Sequence, residues 1–384
     1  MQKTDPLVRY LGSAGDIQLG TFVLAIGLPL RPNIGSYPLA TITAAVLVMI
    51  ALLRPARDVG NLPRIVTLPL FMMVVWLMSG PVLAGHLETR RMGNVAIVVA
   101  LAWVLAQGRL HVPSVVWGAG LGLGLGVTHA ILTIGSSTYT GRITGQVGDP
   151  NGVGFTVSTL GCLLIAMVAH NRLMAIAVWV LAGGAILLTV SRTSIFAFVM
   201  ATGWAFLAPR IGKWPSFALL ATGTPVFNWA SEFAERQETF VDRVGSDVLR
   251  SELVAAEKEK IADAGFFGNG LGDTKVFLEG KGYWFHNGFY ALRVEGGTLA
   301  YGLFGVAMIG LFWCAFKIPK DRRNAWFEAS ILAGLICSVN IGYSLISVIS
   351  ALALGVFLNY WRENIHQVDS LPSAYGNAAR VVSM

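Results

Sequence analysis

Residues 172–210 read RLMAIAVWVLAGGAILLTVSRTSIFAFVMATGWAFLAPR. Between Arg172 and Arg210 the only ionisable side chain is Arg192, and an apolar run lies on either side of it. A helix needs roughly 20 apolar residues to cross a bilayer. The stretch therefore reads as two membrane helices, 173–190 and 193–208, meeting at Thr189-Val190-Ser191-Arg192-Thr193-Ser194.

The same pattern extends in both directions. Further apolar runs predict helices near 16–30, 38–53, 65–85, 93–106, 113–134, 152–169, 215–230, 287–316, 325–343 and 345–361. The expected fold is all-α, a polytopic integral membrane protein of about twelve transmembrane helices. Composition agrees: 54% of the 384 residues are hydrophobic and 13% are charged, against about 25% charged in a soluble domain. Short alternating strands are absent from the pattern, which argues against an outer-membrane barrel. The net charge of +7 is spread between apolar runs, without a basic helix or zinc-ligand spacing, so nucleic acid is not an expected partner. Cys162, Cys314 and Cys337 all fall inside apolar runs and read as small buried hydrophobes. Lys3 and Arg9 precede the run Ile17–Leu30, and no small-x-small site follows before Arg31-Pro32, so an uncleaved first helix is expected.

Charge sets the orientation. With the N-terminus inside, the inner loops receive Arg54, Arg57, Arg64, Arg109, Arg172, Arg210 and Lys213, then Lys317, Lys320, Arg322 and Arg323. The outer loops receive Arg31, Arg90, Arg91, Arg142 and Arg192. This is the positive-inside pattern, and it places both termini in the cytoplasm of a bacterial inner membrane. Transmembrane helices over 1–230 and 287–361 then flank a compact, charged periplasmic loop domain over 231–286, and a disordered cytoplasmic tail follows over 362–384. The loop predicts two amphipathic helices. One covers 231–244, and the other runs from Ser246 or Asp247 to about Ala262, with Gly265 as its stop. Gly268-Asn269-Gly270-Leu271-Gly272 reads as a tight turn; no strand precedes it, which excludes a dinucleotide site. Gly120-Leu121-Gly122-Leu123-Gly124 reads as a close helix–helix contact.

Candidate chemistry lies on the outer side. Arg192 is either an arginine snorkelling to the interface or an anion-binding guanidinium. Arg142-Ile-Thr-Gly145 leads into Asp149-Pro150-Asn151, where Asp149 or Asn151 caps a helix or faces an anion at its N-terminus. In Tyr283-Trp284-Phe285-His286-Asn287-Gly288 the loop re-enters the membrane; His286 is either a proton-transfer group or part of an aromatic belt. Arg236, Arg243 and Arg250 recur at heptad spacing. Glu257 and Glu295 are possible acids or bases, read more simply as a surface charge and an interfacial hydrogen bond.

At these residues the chain resembles the O-antigen ligase and Wzy-type polymerase superfamily. The resemblance covers roughly 140–310. It rests on Arg142-x-x-Gly145 with Asp149-Pro150-Asn151, on Ser191-Arg192-Thr193, on a loop carrying Arg250 and Gly268-x-Gly270-x-Gly272, and on His286-Asn287 followed by Glu295-Gly296-Gly297. It implies a membrane glycosyltransferase without metal or soluble cofactor. Such an enzyme moves glycan from undecaprenyl pyrophosphate to a growing glycan (polymerase) or to lipid A–core (ligase). It implies Arg192 and Arg250, with Arg142 as a third, as pyrophosphate ligands, His286 as the base for the acceptor hydroxyl, and Asn287 as the residue that orients that base or the sugar. A flippase and a chain-length regulator are the implied partner proteins. Family members often carry a tryptophan shortly after the loop arginine, and Arg250-Ser251-Glu252-Leu253 has none. Two readings from other classes stand beside this one: a transporter or lipid flippase, and a non-catalytic member of an export complex.

Overall fold

A computed structural model describes residues 14–30, 32–34, 37–57, 60–83, 88–136, 141–144, 149–219, 222 and 244–369. Within them the chain is mostly helical. Its helices are α1 (Ala14–Ala25), α2 (Leu39–Leu52), α3 (Arg64–Leu83), α4 (Thr89–Ala106), α5 (Val112–Leu132), α6 (Pro150–Val168), α7 (Arg172–Thr189), α8 (Arg192–Ile211), α9 (Val244–Asp263), α10 (Gly288–Ala315), α11 (Trp326–Cys337) and α12 (Val348–Asp369). Six of them, α4 to α8 and α10, are long and apolar enough to cross a membrane.

Helix α6 is the centre of the bundle, 83% buried, with α5, α7, α8, α11 and α12 packed around it. On one side α3 packs on α10, and α4 packs on α12 and α2. Helix α7 is the most apolar of the six and yet only 22% buried. Leu173, Leu181 and Leu187 stand 80%, 73% and 62% exposed on it. A helix facing water turns a polar stripe outward; α7 turns leucines outward, as a lipid solvent favours. The expected glycine contact exists at two of its three positions. A side chain at 122 would collide with the Ile26 carbonyl and one at 120 with Leu164, whereas position 124 is open. All three cysteines are buried thiols.

Three expectations change, and the expected helical fold gains two small antiparallel hairpins, β1 (Asn33–Ile34) with β2 (Tyr37–Pro38), and β3 (Lys275–Leu278) with β4 (Lys281–Trp284). Glu279 and Gly280 turn the second hairpin with positive φ at both residues, the geometry that matches the twist of paired strands. The helices expected over 325–343 and 345–361 are separated by an irregular segment, 338–347. There Ser344 and Ser347 bond their own neighbourhood, at Ile341 O (2.6 Å) and Ser344 O (2.9 Å), competing with the helical pattern. The helix expected over 287–316 is kinked at Gly297, where φ is 69°. The tail expected to be disordered from 362 continues α12 to Asp369, and Arg362 is 2% exposed. The amphipathic helix expected over 231–244, and most of the membrane helix over 215–230, lie outside the described residues.

A buried ion pair fastens the start of α11 to α8. Arg323 grips Glu328 with Nε to Oε1 (2.8 Å) and Nη2 to Oε2 (2.7 Å), Trp204 Nε1 donates to Oε2 (2.9 Å), and Glu328 is 0% exposed. Removing one partner of such a pair strands the other charge, at a cost of about 3–5 kcal/mol. Glu328→Ala is therefore expected to lower the thermal midpoint sharply, and Glu328→Ala with Arg323→Met less so, in a melt of the detergent-solubilised chain.

Candidate functional site

Three helices begin at one end of the bundle, and each starts at a residue singled out by the sequence. Asp149 caps α6: its two carboxylate oxygens accept from Asn151 N and Gly152 N, both at 3.1 Å. Pro150 occupies the first turn, where its missing N–H costs nothing. Ser191 caps α8 by accepting from Ser194 N, which leaves Arg192 as the first helical residue. The N-termini are tied together, since Ser191 Oγ donates to Asn151 Oδ1 at 2.8 Å. Arg142 is anchored here as well, with Nε donating to Thr189 O at 2.8 Å while Ile143 N donates to Leu188 O. Arg142 and Arg192, about fifty residues apart, thus flank the same α7–α8 corner, and both are half-buried.

The irregular segment 338–347 links this corner to His286. Asn340 Nδ2 donates to Thr193 Oγ1, beside Arg192. Ser338 O accepts from Gly288 N at 2.7 Å, at the start of α10. Position 342 tolerates only glycine, because a side chain would collide with the Phe285 carbonyl. Asn287 caps α10, its Oδ1 accepting from Phe289 N (2.9 Å) and Tyr290 N (3.2 Å). The side-chain oxygen of Asn287 is thus committed to the helix start.

The next correction concerns Glu257. It reads as a surface charge, yet it is 0% exposed. The strand leading to His286 alternates, with Trp284 exposed, Phe285 buried and His286 half-exposed. Val276, Phe285, Ala291, Val294 and Leu253 form the small core over which α9 lies. That core brings Glu257 under the histidine: His286 N donates to Glu257 Oε1 at 2.6 Å, and His286 Nδ1 stands 3.7 Å from the same oxygen. Nδ1 and Glu257 Oε2 are sealed from solvent without a hydrogen-bond partner. The side chain of His286 is 40% exposed, so its open edge is the one away from the carboxylate. Arg250 lies seven residues before Glu257 on α9; its side chain is outside the described residues.

Glu295 is likewise more than an interfacial hydrogen bond. It is 2% exposed and takes both prongs of Arg91, with Nε to Oε1 and Nη2 to Oε2 at 3.1 Å each. The glycine-rich turn closes over it: Gly272 N donates to Glu295 Oε1 (3.1 Å), Asn269 N to Val294 O (2.7 Å) and Gly270 N to Glu295 O (3.0 Å). These bonds satisfy carbonyls that the Gly297 kink frees from the α10 ladder. The turn is thus a brace for the kinked helix.

Beside this polar end lies a cavity of about 310 Å³ between α3, α4, α10, α11 and α12, almost wholly apolar. Leu292 and Leu345 line it. Leu292 follows Gly288 by one turn, and Leu345 Cγ lies 3.3 Å from the place a Cβ at 288 would take. The apolar space therefore adjoins the start of α10, two residues from His286. No group of His, Cys, Asp and Glu among the described residues has a metal-holding arrangement.

Sequence reasoning missed Asn340 and Ser338 and dismissed Glu257. A signal for the first two existed in Ser338-Val-Asn-Ile-Gly-Tyr-Ser344, a polar insert between apolar runs. Compared with known proteins, the chain matches no family model and no curated protein.

Proposed function

We propose that the chain is a lipid-donor glycosyltransferase that joins undecaprenyl-pyrophosphate-linked glycan to an acceptor at the outer face of the bacterial inner membrane. On this reading about twelve helices span the bilayer, the basic loops and both termini are cytoplasmic, and α9 with the β3–β4 hairpin forms a periplasmic cap. The observation that supports the proposal is that the segments carrying Arg142, Arg192 and His286 are tied together at one end of the bundle, through Thr189 and through Asn340 and Ser338.

The chemistry follows from the residues. The acceptor hydroxyl oxygen attacks the anomeric carbon of the donor glycan, and its proton passes to the open nitrogen of His286. The bond from that carbon to the phosphate oxygen breaks, and negative charge gathers on the departing lipid pyrophosphate. Glu257, buried on the Nδ1 side, orients the imidazole, as a carboxylate does behind a catalytic histidine. Arg192, with Arg142 and Arg250, supplies fixed cations where the leaving charge develops. The apolar cavity beside Leu292 and Leu345 takes part of the polyprenyl chain. The compact cap favours a growing glycan over lipid A–core as acceptor, hence polymerisation over ligation.

A second reading draws on the irregular segment 338–347 and the Gly297 kink, because transporters also break helices near their sites. The two readings separate in glycan profiles of a deletion strain complemented with wild type, His286→Ala or Arg192→Ala. A polymerase predicts loss of long chains with single-repeat caps retained. A ligase predicts loss of every capped form and accumulation of lipid-linked polymer. Normal profiles from both variants would overturn the enzyme reading.

A further inference from the structure

At the opposite end of the bundle the cations outnumber the acceptors around them among the described residues. The chain leaves α2 at Leu52 and runs through Arg54 to Arg57; it leaves α4 at Ala106 and turns through Gly108 (φ 63°) and Arg109 to His111. Helix α12 brings Asn359, Arg362 and Glu363 to the same place. Arg57 N donates to Gln107 O at 3.2 Å, and Arg109 Nη1 to Arg54 O at 2.9 Å. Around Gly108, a Cβ would stand 3.1 Å from Arg362 Nη2, 3.1 Å from Asn359 Oδ1 and 3.2 Å from Arg57 Cδ. His111 is held below its ordinary value, by burial first and then by Arg57 and Arg54, so it stays neutral at pH 7 and adds no positive charge.

Among the described residues the acceptors fall short. Glu363 Oε1 meets Arg57 Nη1 at 3.3 Å, and it is the one carboxylate paired with Arg54, Arg57 or Arg109 among the described residues. Arg54 Nη1 is sealed from solvent with no acceptor. Each guanidinium offers five donors, and packed like charges repel unless an anion intervenes. Phosphate oxygens match the arginine fork. The surface beside the cluster selects the source. Leu52 and Leu53, immediately before Arg54, are 64% and 72% exposed, so acyl chains have an apolar face next to the cations. Basic pockets between helix ends suit anionic lipid headgroups.

We infer that Arg54, Arg57 and Arg109, backed by α12 at Arg362, bind the phosphate headgroup of an anionic phospholipid. This site lies at the end of the bundle away from His286. The inference rests on the chain's lying in a bilayer and is independent of glycan transfer.

The test uses the full chain in neutral detergent, with phosphatidylglycerol or phosphatidylcholine added, read by thermal melt and by native mass spectrometry. Phosphatidylglycerol is expected to raise the midpoint by roughly 3 °C more than phosphatidylcholine and to remain bound. Arg57→Gln with Arg109→Gln should abolish that difference. If the double variant does not fold, Arg57→Gln alone, at a side chain 58% exposed, should lower the number of retained lipids. Equal effects of the two lipids, or a phosphatidylglycerol effect that survives the substitutions, would overturn the inference. Inorganic phosphate alone should leave the midpoint unmoved; a shift matching that of phosphatidylglycerol would overturn the lipid assignment.

Discussion

If the proposed glycan transfer holds, His286→Ala is expected to lower it by about 10²–10⁴-fold, the usual contribution of a positioned base, and to leave the fold intact. The fold survives because the bond from residue 286 N to Glu257 Oε1 belongs to the backbone and the imidazole is 40% exposed. Glu257→Gln tests what stands behind the base. The amide keeps an acceptor for the backbone N–H but removes the carboxylate charge that faces Nδ1. Loss of an orienting carboxylate can cost up to about 10⁴-fold in rate. The 3.7 Å separation exceeds a hydrogen bond, and such contacts tighten when substrate binds. The informative measurement is a double-mutant cycle on kcat, with purified lipid-linked glycan and acceptor. If Glu257 acts through the imidazole, Glu257→Gln is nearly silent once residue 286 is alanine. An equal loss in both backgrounds would mean that the carboxylate supports the cap and not the chemistry.

Local signals were readable in this sequence, and contacts between distant segments were not. The helices α4 to α8 follow from apolar length alone, the requirement a bilayer would impose whatever the neighbours are. The Asp149 cap follows from Asp-Pro-Asn, since capping is settled within four residues. Glu257 was hidden for the opposite reason. It sits in Val-Ala-Ala-Glu-Lys-Glu-Lys, a mixed-charge helix that reads as solvated, and only the packing of α9 onto Phe285 and Val294 buries it. The break at 338–347 escaped because its serines and glycine are common inside membrane helices; what opens the helix is Ser338 O accepting from Gly288 N, fifty residues away in sequence. The hairpin offered a clearer sign. Val276 and Leu278 alternate with the exposed Lys275 and Phe277 around Glu279-Gly280, a period-2 pattern with a turn.

Arg192→Ala should cost about 10²–10³-fold in kcat, the loss seen when one fixed donor to a developing negative charge is removed. The geometry argues for that role over a snorkelling arginine. Arg192 is the first residue of α8, where the positive end of the helix dipole adds to its own charge. Its neighbours on both sides are fixed: Ser191 through Asn151, and Thr193 through Asn340. A snorkelling side chain needs no such framework, and its replacement by lysine is neutral. A pyrophosphate ligand needs the planar fork, so Arg192→Lys keeps the charge but recovers only part of the rate. Ser191→Ala serves as the structural control: it removes the cap, costs about 1 kcal/mol of stability, and should slow transfer far less than Arg192→Ala. The division between kcat and KM then decides the role. A fall in kcat with KM nearly unchanged places the interaction in the transition state, whereas a rise in KM alone makes Arg192 a uniform binder of the donor. Full activity in the alanine variant would remove the guanidinium from the reaction altogether.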